Sequence, residues 1–362
     1  MCRLPPRLIL LLMTVLLSSG CDRASPEAML DNYRERVAYV LEESTAPDPP
    51  AAGAIPLFPP RRDRWRPQTD LRQGLFEVLA LRHCNLLSLI AERNSSLGKV
   101  MRPSQQLVYE MRFLVRLRDC RQQLARAQDP DVELRLQVET IYDIKSRELP
   151  SVIWNAIYAS SEMESNFSRG EPPLPLIPDQ SIEASLASFT ALSSLQTLIT
   201  TPDWQLPAEL GDIERHYQVL EANRFGSHWL KSLWLLTHTL EQTARALDKR
   251  EQRFALCPQD RPTPKARILF NVFSKYYVGE VQPYMARVDQ SGRRWKELHQ
   301  QLLGSLPATD AMLDYQNRVF ADDNPDSLWQ RYIAARNHHT QSWQAILRRC
   351  NLMPGSADAA TN

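Results

Sequence analysis

Apolar residues recur along this chain at intervals of three and four rather than two, the spacing that collects side chains on one face of an α-helix. Met29, Tyr33, Val37, Val40 and Leu41 predict a helix to about Glu43. Ser25-Pro26-Glu27 supplies its start: a capping hydroxyl, a proline at the first helical position and an acid at the positive dipole end. Leu71, Leu75, Val78, Leu79, Leu86 and Ile90 form one stripe over 70–93, and Phe76, Ala80, Cys84 and Leu87 form a second, so that helix is expected to face several neighbours. Ser104 is the expected cap of the next helix, in which Leu107, Met111, Leu114, Leu117, Cys120 and Leu124 share a stripe. Asp129-Pro130 opens a helix to about Arg147, Leu149-Pro150 is expected to break it, and another is expected over 151–166. Further helices are expected over 179–200, 207–222 and 226–256, the last carrying Trp229, Leu233, Leu236, Leu240, Ala244, Leu247 and Phe254. Thr263-Pro264 begins a helical stretch to about Leu303, with breaks expected at Pro283 and Gly292. Asn324-Pro325 opens the last helix, with Tyr332, Ala335, His339, Trp343, Ile346 and Cys350 on one stripe. Strand-like alternation and fixed-period repeats are absent. The chain reads as an all-α, multi-helix bundle of about nine to ten helices.

Two stretches interrupt the pattern. Residues 45–60 are rich in Pro and Ala and read as an extended connector lying along the body, because Ile55, Leu57 and Phe58 favour burial. Arg169 to Pro178 is a second Pro-rich loop, with its prolines from Glu171 on, and the expected boundary between a helical half over 61–170 and another over 171–353. Arg61-Arg62-Asp63-Arg64-Trp65-Arg66 allows two readings: a lipid-headgroup patch, or a solvated turn whose Trp packs on the body. The second is the simpler. The tail over 354–362 is expected to fray.

The first residues change the picture. Arg3 and Arg7 precede a run from Leu8 to Leu17, and small residues follow, the layout of a secretory signal over 1–20. The run is too short to span a bilayer, which takes about 20 residues. Leu17-Ser18-Ser19-Gly20-Cys21 resembles the bacterial lipoprotein cleavage box, with Ser18 where a Leu is usual. That resemblance implies cleavage before Cys21 and a diacylglycerol on its sulfur, leaving 21–60 as a lipidated N-terminal helix and connector. Asp22 resembles the signal that retains lipoproteins in the inner membrane, so the expected location is the periplasmic face of that membrane.

Without residues 1–20 the chain has 362 − 20 = 342 residues, with 43 − 2 = 41 basic and 42 acidic, a net of −1. That balance gives no reason to expect nucleic acid as a partner. Glycine numbers only 11 and never forms a G-x-G-x-x-G or G-x-x-x-x-G-K-[ST] loop, which argues against nucleotide folds built on those loops. Cys84, Cys120, Cys257 and Cys350 remain once Cys2 leaves with the signal and Cys21 takes lipid. An even set in an oxidising compartment reads as two disulfides. Of three pairings, Cys84–Cys120 with Cys257–Cys350 is favoured because each pair lies in one half.

His83-Cys84, the run Ala91-Glu92-Arg93-Asn94-Ser95-Ser96-Leu97-Gly98-Lys99-Val100-Met101, and Pro103-Ser104-Gln105-Gln106-Leu107-Val108-Tyr109-Glu110 resemble a proteobacterial, Pseudomonas-like lipoprotein family of uncharacterised function, domain of unknown function 3080. The resemblance covers most of the mature chain and is most specific over 74–124. It implies an envelope lipoprotein and carries no reaction and no catalytic residue.

Two chemical readings remain. Ser96-Leu97-Gly98-Lys99 has the S-x-x-K spacing of periplasmic penicillin-recognising enzymes, in which the amine takes the serine proton. The K-[ST]-G element of those enzymes is missing here, and the plain reading is a polar turn with a solvated Lys99. His238 and Glu241 share a helix face and His338-His339 is a pair, but there is no H-E-x-x-H, so neither a metal nor a cofactor is expected and His339 reads as a satisfied core residue. With no complete catalytic set legible, the chain reads as a helical interaction or scaffolding module. Its expected partners are the membrane, through the lipid, and an envelope protein or cell-wall fragment.

Overall fold

The computed structural model describes residues 25–45, 55–69, 81–128, 131–201 and 203–355. The leader, Cys21, Asp22, residues 70–80 and the end of the tail lie outside them. Helices dominate the described residues, which contain no strand.

Helix α1, Pro26–Leu41, starts as its sequence dictates, with Ser25 Oγ accepting the N–H of Ala28 at 3.1 Å. A four-residue turn, α2 (Arg61–Arg64), follows the Pro-rich connector. The expected helix over 70–93 is divided where it is described. A 3-10 turn, Leu81–Cys84, precedes α3, Leu87–Asn94. Asn85 breaks the two apart with φ +55°, a left-handed conformation that Asn tolerates, and Arg116 holds its carbonyl at 3.0 Å. Helix α4, Pro103–Arg126, begins one residue before the expected cap. The Gln105 side chain caps the Arg102 N–H, while Ser104 Oγ donates instead to Glu214 at 2.7 Å.

The break expected at Pro150 does not occur. Helix α5 runs unbroken from Val132 to Tyr158 with Pro150 inside it, and the real stop is Ser160, which caps the short α6, Ser161–Asn166. A proline inside a helix costs about 3 kcal/mol. Here the turns after it bury Val152, Ile153, Trp154, Ala156, Ile157 and Tyr158, a gain several times larger.

Then come α7 (Ser181–Ser194), α8 (Ile213–Asn223), α9 (Phe225–Arg253) and α10 (Pro264–Val272). The run continues without a break through a π-helical stretch, Phe273–Val281, into α11 (Gln282–Ser305), so neither Pro283 nor Gly292 ends it. Wide π geometry just before Pro283 is where a missing N–H is accommodated. Gly292 is there for space: a Cβ on it would lie 1.9 Å from the indole nitrogen of Trp229. Helices α12 (Asp310–Val319) and α13 (Leu328–Arg349) complete the body, and Ser327, not Asn324, caps α13.

Packing divides in a different place from the boundary expected at 171. The large apolar cluster runs from Met29 to Leu352 and takes in α1, Ile55, the first half of α4 through Leu107, Met111 and Leu114, the second half of α5 and the elements after it. A smaller cluster gathers Leu81, Leu86, Leu89, Phe113, Leu117, Leu134, Val138 and Ile141 around Cys84–Cys120. The two clusters therefore share both α4 and α5, and the change from one to the other falls inside these helices. The Pro-rich loop belongs to the large cluster, because Leu174 is buried there and Ser232 Oγ and Tyr284 hold its backbone.

Both favoured disulfides are present. Cys84–Cys120 and Cys257–Cys350 have Cα separations of 5.0 and 5.2 Å. The first ties the 3-10 turn to α4, and the second ties the end of α13 to the segment after α9.

Candidate functional site

Helix α1 is built into the body, and its joint is the most elaborate polar site in the described residues. Tyr33 is fully buried, and its hydroxyl meets His339 Nε2 of α13 at 2.7 Å. Trp343 Nε1 donates to Tyr33 Oη at 2.9 Å and lies 3.2 Å from His339 Nε2. An indole N–H can only donate, so Tyr33 accepts from Trp343 and donates to Nε2. That fixes the imidazole proton on Nδ1, which is buried with no partner. Burial pushes the His339 pKa down to about 3 and raises that of Tyr33 well above its ordinary value, so both groups stay neutral. Tyr277, from the π-helical stretch, lies over the imidazole with ring centroids 4.6 Å apart.

Just past the end of α1, Glu43 is buried and takes Lys249 at 2.9 Å and Arg253 at 3.0 Å from α9. Arg34 donates to Gln242 at 3.1 Å. These pairs set α1 parallel to α9. A cleft of about 780 Å³ opens between the first turns of α1, Leu176 of the Pro-rich loop, and Gly279, Pro283 and Arg287. Arg36 crosses this region with its guanidinium 4.2 Å from the Tyr276 ring centre. Near the other end of α1, Tyr39 (86 % exposed) and Ile268 (54 % exposed) line a second, shallower cleft.

The basic stretch after the connector is a short turn with Arg61, Arg62 and Asp63 exposed, as the simpler reading expects, but one of its cations is buried. Arg64, not Trp65, is the residue that packs on the body, with no exposed surface. It donates to the Tyr158 carbonyl at 2.5 Å and pairs with Glu164, and Phe58 lies 4.5 Å beneath the guanidinium. Arg61 donates to the Ala159 carbonyl at 3.1 Å, so two cations sit at the negative end of α5. Trp154 Nε1 and the Asn155 amide close the joint by donating to the carbonyls of Arg64 and Arg66, both at 2.7 Å. Charge composition alone hides this role, since arginines usually read as surface.

The other expected site residues are not gathered. Ser96 and Lys99 are both exposed, in the turn after α3 and the short 3-10 turn that follows, and no hydrogen bond joins them. Ser95, next to Ser96, organises that turn by accepting the N–H of Gly98 at 2.9 Å. His238 caps the Trp234 carbonyl on its own helix at 2.8 Å, and His338 pairs with Asp248 at 2.6 Å. Among the described residues no three His, Cys, Asp or Glu side chains are placed to hold a metal ion. None of the described helices is long and apolar enough to cross a membrane.

A second buried histidine escaped sequence reasoning. His299 of α11 contacts the Tyr158 hydroxyl through Nδ1 at 2.9 Å, is packed by Phe167, Phe189 and Phe320, and has its pKa pushed to about 3 by burial. His339 is marked by the apolar stripe of the last helix, whereas no stripe is assigned to the stretch that carries His299.

A family model described as "Protein of unknown function (DUF3080)" matches residues 30–354. No curated protein matches the chain, and no solved structure does.

Proposed function

The chain belongs to the DUF3080 family, and from that premise we propose that it is a lipid-anchored helical interaction module of a proteobacterial cell envelope. It is held at Cys21 on the periplasmic face of the inner membrane and meets an envelope protein or a cell-wall fragment with its helical surface. The observation that carries this reading is the cysteine pairing. Cys84–Cys120 and Cys257–Cys350 take up every cysteine outside the leader and the lipobox-like segment, and such bridges persist in oxidising compartments. The remaining Cys21 follows a signal-like apolar run.

The joint of α1 fits this role. Ser25 opens a helix that is part of the core, and Cys21 precedes it by four residues, a span of at most about 14 Å for any chain of that length. The body would ride close to the bilayer. Tyr39 and Ile268, exposed near the far end of α1, are the surface available to a partner.

The test is fractionation of cells that make the full chain and its Cys21→Ala variant. The native protein is expected with the membranes and released only by detergent, while the variant collects in the soluble periplasm. Native protein recovered from the soluble fraction would contradict the anchor.

A further inference from the structure

We infer that the Pro-rich loop is a second membrane contact, in which Ile177 enters the lipid interface beside the anchor; this rests on the anchor reading above. Ile177 is 82 % exposed, whereas Leu174, three residues earlier, is buried. The loop that displays it is fastened at several points. The Pro172 carbonyl meets His228 Nδ1 at 2.6 Å, the Leu174 N–H goes to Ser232 Oγ at 2.8 Å, Tyr284 donates to the Leu174 carbonyl at 3.0 Å, and Arg287 donates to the Leu176 carbonyl at 2.5 Å. An apolar side chain presented by a fixed backbone loses little freedom when it inserts.

Two independent observations put this loop where the chain meets the bilayer. Leu176 lines one cleft together with Ala28 and Met29, the first turn of α1. The parallel register gives the same level: Arg34 lies against Gln242, an offset of 208, and Glu43 against Arg253, an offset of 210. Carried back along α1, that offset sets Ser25 level with Ser232, whose hydroxyl holds Leu174. From Ser25 to Cys21 the chain reaches at most about 14 Å. The acyl chains and Ile177 therefore meet the same patch of membrane. Arg36 and Arg287 line the cleft with Glu280, and Glu27 acts on Tyr284 of the same lining, so its charges balance and the contact at Ile177 is apolar.

A single anchor lets a body swivel. A second contact fixes its orientation, with the end of α9 at Phe254 (67 % exposed) turned away from the bilayer. Phe254 lies 22 residues beyond Ser232, about 33 Å along the helix.

The experiment uses the full chain, produced with lipid processing and reconstituted in vesicles of phosphatidylethanolamine and phosphatidylglycerol. An environment-sensitive dye is placed at Ile177→Cys or at Phe254→Cys, and the intact mass of each sample shows whether Cys21 is acylated. The expected result is an acylated Cys21 with dye emission at 177 shifted to shorter wavelength and dye emission at 254 as in water. An Ile177→Trp variant, with no added thiol, should be quenched by brominated lipid more than the unaltered chain. If Cys21 is acylated and both probes at 177 report water, the loop contact is overturned and the anchor stands. If Cys21 is unacylated, the anchor falls and the loop contact falls with it.

Discussion

Tyr33 and His339 share a 2.7 Å hydrogen bond across 306 positions of chain, so the first described helix and the last are locked to one another inside the core. This contact makes α1 part of the body rather than a stalk, so the anchor proposed at Cys21 would have a short reach.

Tyr33→Phe removes the hydroxyl that takes the Trp343 N–H and satisfies His339. The expected loss is about 1–3 kcal/mol of unfolding free energy, because the groups left behind are buried. Tyr39→Phe, on the exposed side of the same helix, should change stability by less than about 0.5 kcal/mol. Urea midpoints of the two variants check the contrast.

Acid should loosen the core before it titrates most carboxylates. His299 and His339 have folded pKa values of about 3, depressed below the ordinary value by burial. Between there and about 6.5 the unfolded chain binds protons that the folded chain does not, so stability is full above about 6.5 and falls as pH drops. Each group approaches about 1.4 kcal/mol per pH unit below its unfolded pKa, or roughly 3 kcal/mol for the two between pH 6.5 and 5. Denaturant midpoints at pH 7.5 and 5.0 measure it, and a chain carrying His299→Gln and His339→Gln should show little of the slope.

Arg64→Ala should cost about 3 kcal/mol, since it strips the Tyr158 carbonyl of its donor and empties a filled site above Phe58. Arg62→Ala, two residues away with an 86 % exposed side chain, should be neutral within about 0.5 kcal/mol. Equal midpoints for the two would contradict the burial of Arg64.

The bridges should both matter, and the longer loop more. Closing 36 and 93 residues corresponds to about 3.8 and 4.6 kcal/mol in the chain-entropy account. Replacing either cysteine pair by alanine should lower the melting temperature far more than Lys99→Ala, whose side chain is exposed.

The helices and both bridges were legible because burial imposes a 3.6-residue period, and Cys84, Cys120 and Cys350 lay on apolar stripes while Cys257 directly followed one. What the pattern could not carry was the resolution of local conflicts by tertiary packing. Pro150 reads as a stop, yet the Trp154 and Tyr158 turns behind it are buried deeply enough to hold the helix together. Asn85 looks helical by spacing but turns left-handed next to the Cys84–Cys120 bridge. Arg64 reads as surface because charge predicts exposure unless a helix end waits to receive it. The Ser96 and Lys99 spacing suggested chemistry, and the fold leaves both in exposed turns. Tyr33 and His339 each sat on a recognised stripe, but no local feature pairs residues so distant in the chain.

The central claim is that Cys21 carries lipid while the other four mature cysteines are paired. Intact and peptide mass spectra of the protein taken from its native envelope, with and without reductant, test it most directly. The account predicts a chain beginning at an acylated Cys21, with linked peptides containing Cys84 and Cys120 and others containing Cys257 and Cys350. An unmodified Cys21 with four free thiols would contradict it.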